Sequence, residues 1–171
     1  GFLEVETPVL QPLYGGANAR PFTTRYNALN QTFYLRIADE LYLKRLIIGG
    51  LDRVYEISKD FRNEGMDRNH NPEFTMLEFY WAYSDYMDNM DLVENMFRQA
   101  AESVRVQKAN WGGLEIDLSQ PFQRRSFFDL IKDATSHDLG NASEDEIRSV
   151  CEEYGIEMES NANYGQLLDE L

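Results

Sequence analysis

With a single cysteine, Cys151, the chain of 171 residues cannot form an internal disulfide, and a reducing, cytoplasmic setting is the default expectation. No apolar run approaches the roughly 18 residues of a membrane-spanning helix, and the amino end lacks a signal-peptide pattern, so no membrane is expected as a partner. Basic residues are scarce: 16 Lys and Arg face 30 Asp and Glu, a formal charge of -14. The deficit is uneven, because residues 1–80 carry 9 basic against 11 acidic side chains and residues 81–171 carry 7 against 19. That excludes a broad basic face for nucleic acid on this segment; RNA has to be held by local patches or by another domain. Internal repeats, low-complexity tracts and convincing linkers are also absent. What remains, 43% hydrophobic and 13% aromatic residues, suits one folded domain with a real core.

The opening GFLEVETPVL alternates Phe2, Val5 and Leu10 with Glu4, Glu6 and Thr7, a strand pattern that Pro8 confines to an edge or an end. QPLYGGANARPF follows as a loop in which Gly15 and Gly16 serve either a surface turn or a close backbone approach to a ligand. Residues 32–37 read as a short strand. Ala38, Asp39 and Glu40 then begin a helix with Leu41, Tyr42, Leu46 and Ile47 on one face, stopped by Gly49 and Gly50. Glu40 falls in its first turn, where it either complements the helix dipole or faces a ligand.

Residues 54–61 and 74–81 are β-rich runs around a polar loop with Gly65, Arg68, Asn69, His70, Asn71 and Pro72, a long antiparallel hairpin. A loop of this length in a compact domain points to function. Strand alternation places Phe74, Met76, Glu78 and Tyr80 on one face, read as the floor of a polar pocket, and Thr75, Leu77, Phe79 and Trp81 on the other, read as the core face. Arg62 offers a planar fork for a carboxylate or phosphate, and Glu64 can accept from an amine. His70 can donate to phosphate and Phe74 can stack. The competing reading pairs Arg62 with Glu64 and leaves His70 an ordinary loop residue. Beyond the hairpin, Asp88 or Asn89 caps a helix whose stripe of Val93, Met96, Phe97, Ala100 and Val104 reads as core. A second hairpin over 104–108 and 114–118 comes next, then an edge segment over 121–125 and a helix capped by Ser126. Ser143 and Glu146 have capping-box spacing, and a last helical pattern starts at Tyr164.

The combination is more specific than its parts. FRNE followed by HNPEFTMLEFY resembles motif 2 of the class II aminoacyl-tRNA synthetases, over residues 53–82, and in detail the lysine-specific members. GGANARPF, YLRIADELYLKRLIIGG and VYEISKDFRNE are similar to the same group, and ETPVL resembles the tail of motif 1. The likeness covers most of residues 1–100 and continues more weakly to the end. It implies an α+β fold, an antiparallel β-sheet flanked by helices, here a partial catalytic domain over 1–171 that looks incomplete at both ends. Motif 3 and an anticodon-binding domain have no counterpart. On this basis the isolated chain is not expected to aminoacylate.

What the resemblance implies for function is ATP-dependent activation of lysine to lysyl-adenylate and transfer to tRNA by a homodimer. Arg62 then bridges the amino-acid carboxylate and the α-phosphate and is the catalytic residue. Glu64, His70, Asn71 and Phe74 complete the ATP set. Gly16 and Glu40 hold the lysine α-amino group, and Glu78 and Tyr80 receive the ε-ammonium. Two acids for a dication is the required electrostatic match, and a neutral or shorter amino acid leaves those groups unpaired. No metal ligand is expected within the 171 residues; those for Mg2+ are expected elsewhere in the protein. Members of the family often carry a basic residue immediately before the loop histidine, where Asn69 stands here, with Arg68 one step earlier. The alternatives are a synthetase-like ligase that attaches lysine to a protein, and a non-catalytic module that binds lysine or nucleotide.

Overall fold

The chain begins with β1 (Leu3–Glu4), leaves the ladder through Thr7 and Pro8, and re-enters as β2 (Leu10–Gln11). The alternating opening is thus two short strands in different sheets rather than one. The computed structural model describes all 171 residues and resolves into two compact units, Gly1–Val93 and Glu94–Leu171. In the first, β3 (Thr23–Tyr26) and β4 (Gln31–Leu35) form a hairpin, and β2 adds to β4 in an antiparallel sheet of order β2-β4-β3. The expected helix is α1 (Glu40–Ile48), with Asp39 at its N-cap and Gly49 at its C-cap. β5 (Arg53–Phe61) and β6 (Glu73–Trp81) are the expected long hairpin, paired antiparallel over their whole length, and β1 joins β5 in parallel. Antiparallel sheets combined with helices make this an α+β chain, as the sequence predicts.

The structure reverses one expectation about the hairpin. Register puts Val54, Glu56, Ser58 and Asp60 opposite Tyr80, Glu78, Met76 and Phe74. All four of those β5 residues are buried, whereas Ile57 and Leu77 on the opposite face are 60% and 41% exposed. The polar face is therefore the deeply covered one. The face expected as core is sheltered only where Phe2 sets its ring edge-on against Phe79 and Trp81, at 5.7 and 5.8 Å. The cause is the segment after β4: Arg36 and Asp39 lie over the polar face and supply hydrogen-bond partners that an alternation pattern does not reveal.

The helix after the hairpin, α2 (Tyr86–Ser103), starts earlier than expected. Asp85, not Asp88 or Asn89, is its cap: Oδ1 accepts from the backbone N–H of Met87 and Asp88, and Asp88 returns a bond to Asp85 N. Its stripe is not the core that its spacing suggests. Phe97 is 51% exposed and Val104 67%, and the buried position is Ala101. Phe97 packs tilted against Phe122, with centroids 6.0 Å apart.

In the second unit, β7 (Lys108–Trp111) and β8 (Leu114–Asp117) pair across Gly112 and Gly113. Both glycines have positive φ, 58° and 85°, as a two-residue turn demands. That turn sets a register later than the sequence suggests, since residues 104–105 still close α2. Residues 121–125 run as irregular chain, not an edge strand. Ser126 caps α3 (Phe127–Thr135), accepting from Asp129 N at 3.1 Å, and Ser143 forms the expected capping box on α4 (Glu144–Glu153). Asn163 and Gln166 form a second box on α5 (Tyr164–Asp169). These three helices enclose an apolar cluster of Ile131, Leu139, Ile147, Val150, Cys151, Ala162, Leu167 and Leu168.

Ile147 is fully buried in that cluster. Ile147→Ala is expected to destabilise the fold by about 2–4 kcal/mol through lost transfer energy and the cavity left behind. Ser143→Ala removes one capping bond and is expected to cost about 1 kcal/mol. Urea unfolding checks both, and equal losses would contradict the burial argument.

Candidate active site

Past Phe61 the chain leaves the ladder. Arg62 N donates to Pro72 O at 2.9 Å and Asn63 N to Arg20 O at 2.7 Å, so the FRNE segment is stitched both to the far side of its own loop and to the glycine-containing loop before β3. Glu64 turns back to accept from Arg20 N at 3.1 Å. It does not pair with Arg62, which removes one of the two readings that the sequence left open. The Arg62 guanidinium instead lies over the Phe74 ring, 5.1 Å from its centroid, with Nε 3.4 Å from Ile37 O. Arg62, Glu64, His70, Asn71 and Phe74, all five residues of the expected nucleotide set, line one cavity of about 270 Å³ together with Gly65 and Asn69.

His70 owes its place to a residue that sequence reasoning passed over. Asp67 accepts backbone N–H from Asn69 at 2.7 Å and from His70 at 2.8 Å, and its carboxylate also meets His70 Nδ1 at 2.8 Å. The backbone donor of Asn69, followed by the His70 side chain, holds the Asp67 carboxyl below the usual carboxylate range. An aspartate two and three positions before the donors is an Asx-turn signature, so the signal was present.

The second group gathers where α1 begins. Gly16 has φ of 90°, and a Cβ built there would sit 2.8 Å from Glu40 Cβ, so only glycine lets this loop approach the first turn of α1. Glu40 pairs with Lys44 at 2.6 Å on the exposed side of the helix. Glu78 accepts from Asp39 N at 3.3 Å and stands beside the Tyr80 phenol. Burial, then the Asp39 and Glu40 charges, pushes the Glu78 carboxyl up; burial and the Glu78 charge push the Tyr80 phenol up as well. Tyr80 is therefore a neutral donor at physiological pH. Gly16, Glu40, Glu78 and Tyr80 are brought together as expected.

Beneath them lies a polar cluster that the sequence did not announce. Arg36 is almost fully buried and donates to Glu56 at 2.7 Å, to Thr7 O at 3.2 Å and to Lys59 O at 2.9 Å. It also stands 3.1 Å from Asp39 and 3.5 Å from Asp60. Glu56 and Glu78 are directly opposite across the hairpin, a like-charge pair that costs stability unless a cation lies between or beside it. Asp60 is wholly buried and neither carboxylate oxygen has a hydrogen-bond donor. Desolvation first, and the Asp39 charge second, raise its carboxyl to about 7. The alternation Glu56, Ser58, Asp60 on one strand face was the available sign.

A hairpin that carries an arginine over an aromatic ring beside a cavity of about 270 Å³ belongs to a known class of fold. The chain is a member of the class II tRNA synthetases of the D, K and N type, whose family profile matches residues 1–166. Lysine–tRNA ligases are among its relatives: those of Staphylococcus saprophyticus and of one Staphylococcus aureus strain are each 51% identical over 172 aligned positions, and that of another S. aureus strain is 50% identical. These alignments take in 99% of this chain and 35% of each relative, so the chain spans about a third of their length. No helix is long and apolar enough to cross a membrane.

Asp60 gives a test of the cluster in the folded protein. Its carboxyl is raised above the unfolded value, so its favourable contribution is complete below about pH 4 and is lost as pH rises through about 7. Asp60→Asn removes that loss. The variant is expected to gain about 1–3 kcal/mol over the parent at pH 8 and almost nothing at pH 4. Denaturant unfolding across this range checks it, and a variant advantage independent of pH contradicts the assignment.

Proposed function

We propose that the protein to which this chain belongs activates lysine with ATP and transfers it to tRNA. The observation that carries the reading is the convergence of Arg62, Glu64, His70, Asn71 and Phe74 on one cavity, with Arg62 Nε also reaching Ile37 O, three residues before Glu40. Phe74 stacks the adenine while Glu64 reads its edge, and His70 and Asn71 hold phosphate from the loop. The guanidinium of Arg62 contacts both the lysine carboxylate and the α-phosphate and spreads the charge that builds as they meet. A carboxylate oxygen attacks the α-phosphorus, the new bond forms to that oxygen, and the bond to the β,γ-phosphates breaks to release pyrophosphate. The terminal ribose hydroxyl of tRNA then attacks the carbonyl carbon and AMP leaves with the bonding pair. No enzyme nucleophile takes part.

Glu78 and Tyr80 meet the ε-ammonium, and the Gly16 carbonyl with Glu40 meets the α-ammonium. The one carboxylate lining the nucleotide cavity is Glu64, already occupied by Arg20 N. That donor set does not fit a divalent ion, and the Mg2+ ligands are proposed to lie elsewhere in the protein. A cytoplasmic homodimer completes the reading. The relatives' names favour tRNA over a protein as acceptor.

Lysine-dependent exchange of pyrophosphate into ATP tests the chemistry in the full-length protein. Arg62→Ala is expected to lower exchange by about 10²–10³-fold. Glu78→Gln is expected to raise the KM for lysine by an order of magnitude or so while leaving that for ATP nearly unchanged. Equal changes in both KM values contradict the division of roles. Labelled lysine recovered on a protein in place of tRNA overturns the acceptor.

A further inference from the structure

Three carboxylates, Asp39, Glu56 and Asp60, crowd the buried guanidinium of Arg36, and Glu78 stands beside Asp39 and Asp60. Glu56 takes the largest share: Oε1 accepts from Arg36 and from Thr7 N, and Oε2 accepts from the Thr7 hydroxyl at 2.6 Å. Asp39, Asp60 and Glu78 are left with too little countercharge, and one oxygen of each lies within 4.8 Å of the others. The Ser58 hydroxyl donates to Asp39 Oδ2, and Asp39 N donates to Glu78, but Asp60 has no donor on either oxygen and no exposed surface. Three like charges this close in a desolvated site titrate as a unit, and the cheapest way to relieve them is a proton.

We propose that Asp60 and Asp39 are positioning and specificity-determining residues behind Glu78: the three carboxylates share a proton in the free protein and release it to solvent when the substrate's side-chain ammonium seats on Glu78. The inference rests on the reading of Glu78 and Tyr80 as the lysine side-chain site. An ammonium on Glu78 supplies the missing positive charge, so Asp60 can ionise and the proton has no further role. A neutral side chain of the same length supplies none. The cluster thereby turns a preference for a cation into a free-energy difference that grows as pH rises, which Glu78 alone does not provide.

The charged groups around the cluster act in both directions. Arg36 from the end of β4 and Arg62 beyond β5 favour ionisation of Asp60, while Asp39 and Glu78 oppose it. Glu56 on β5 opposes ionisation of Asp39, and Glu40 at the start of α1 opposes that of Glu78. Tyr80 stays protonated beside Glu78. Lysine keeps both ammonium groups between pH 5.5 and 8, so a change in affinity over that range belongs to the protein.

The test is calorimetric titration of lysine into the full-length protein, in buffers of different ionisation enthalpy, from pH 5.5 to 8. The parent is expected to release about half a proton per lysine at pH 7, with affinity rising up to about tenfold from pH 6 to pH 8. Asp60→Asn abolishes most of the release and flattens the pH dependence. Asp39→Asn, which removes the like charge beside Asp60, reduces both. Norleucine, the neutral isostere, binds without proton release. Lysine binding with no proton release by the parent, or with the same release by Asp60→Asn, overturns the proposal and leaves the lysine reading intact. Absence of lysine binding by the parent overturns both.

Discussion

The buried guanidinium of Arg36 is the contact on which the site-bearing unit depends. Its donors reach Thr7 O before β2, Lys59 O and the Glu56 carboxylate on β5, and the Asp39 carboxylate at the start of α1, so the chain before β2, β5 and the N-cap of α1 close on one side chain. A planar fork is suited to such divergent partners, and a lysine could not reproduce it. Without that cation the hairpin's covered face would hold Glu56, Asp60 and Glu78 beside Asp39 in a desolvated space, a costly arrangement unless protons neutralise it. The polar interior is thus a condition for the fold as well as part of the site.

Charge in this unit is distributed by depth. At the cavity end of the hairpin Arg62, Phe74 and His70 meet solvent and suit an anionic, aromatic ligand. At the other end Glu78 and Tyr80 stand in front of Asp39 and Asp60, where burial raises the carboxyl groups and leaves an unmet demand for a cation. A single strand pair carries both ends because alternation sends Phe74, Glu78 and Tyr80 to the same face. Gly16 completes the arrangement by bringing a loop backbone against Glu40 at a distance no side chain tolerates.

Much of this was legible beforehand. The hairpin, α1 with its glycine stop and the Ser126 and Ser143 caps lie where local rules place them, and Arg62, Glu64, His70, Asn71 and Phe74 from the FRNE and HNPEF segments line one cavity, because caps, turns and alternation act over a few residues. Misreadings occurred where the outcome depended on what covers an element. The Leu77 face and the α2 stripe have the spacing of core yet remain exposed, and the Asp85 cap was overlooked in favour of residues nearer the apolar repeat. Arg20 and Asp67 were visible as residues, but their roles arise from loop geometry.

By itself, the order of residues determined the long hairpin, α1, the Ser126 and Ser143 caps, the side chains that share a strand face and the family likeness, since each of these is written in short-range spacing. Only the tertiary structure decided which face of β5 and β6 is buried, that Glu64 answers Arg20 instead of Arg62, and that Asp39 and Asp60 stand behind Glu78. Those outcomes turn on contacts between segments 20 to 50 residues apart. Burial and electrostatic coupling are properties of that three-dimensional neighbourhood, and a carboxylate reads the same in sequence whether water or Arg36 answers its charge.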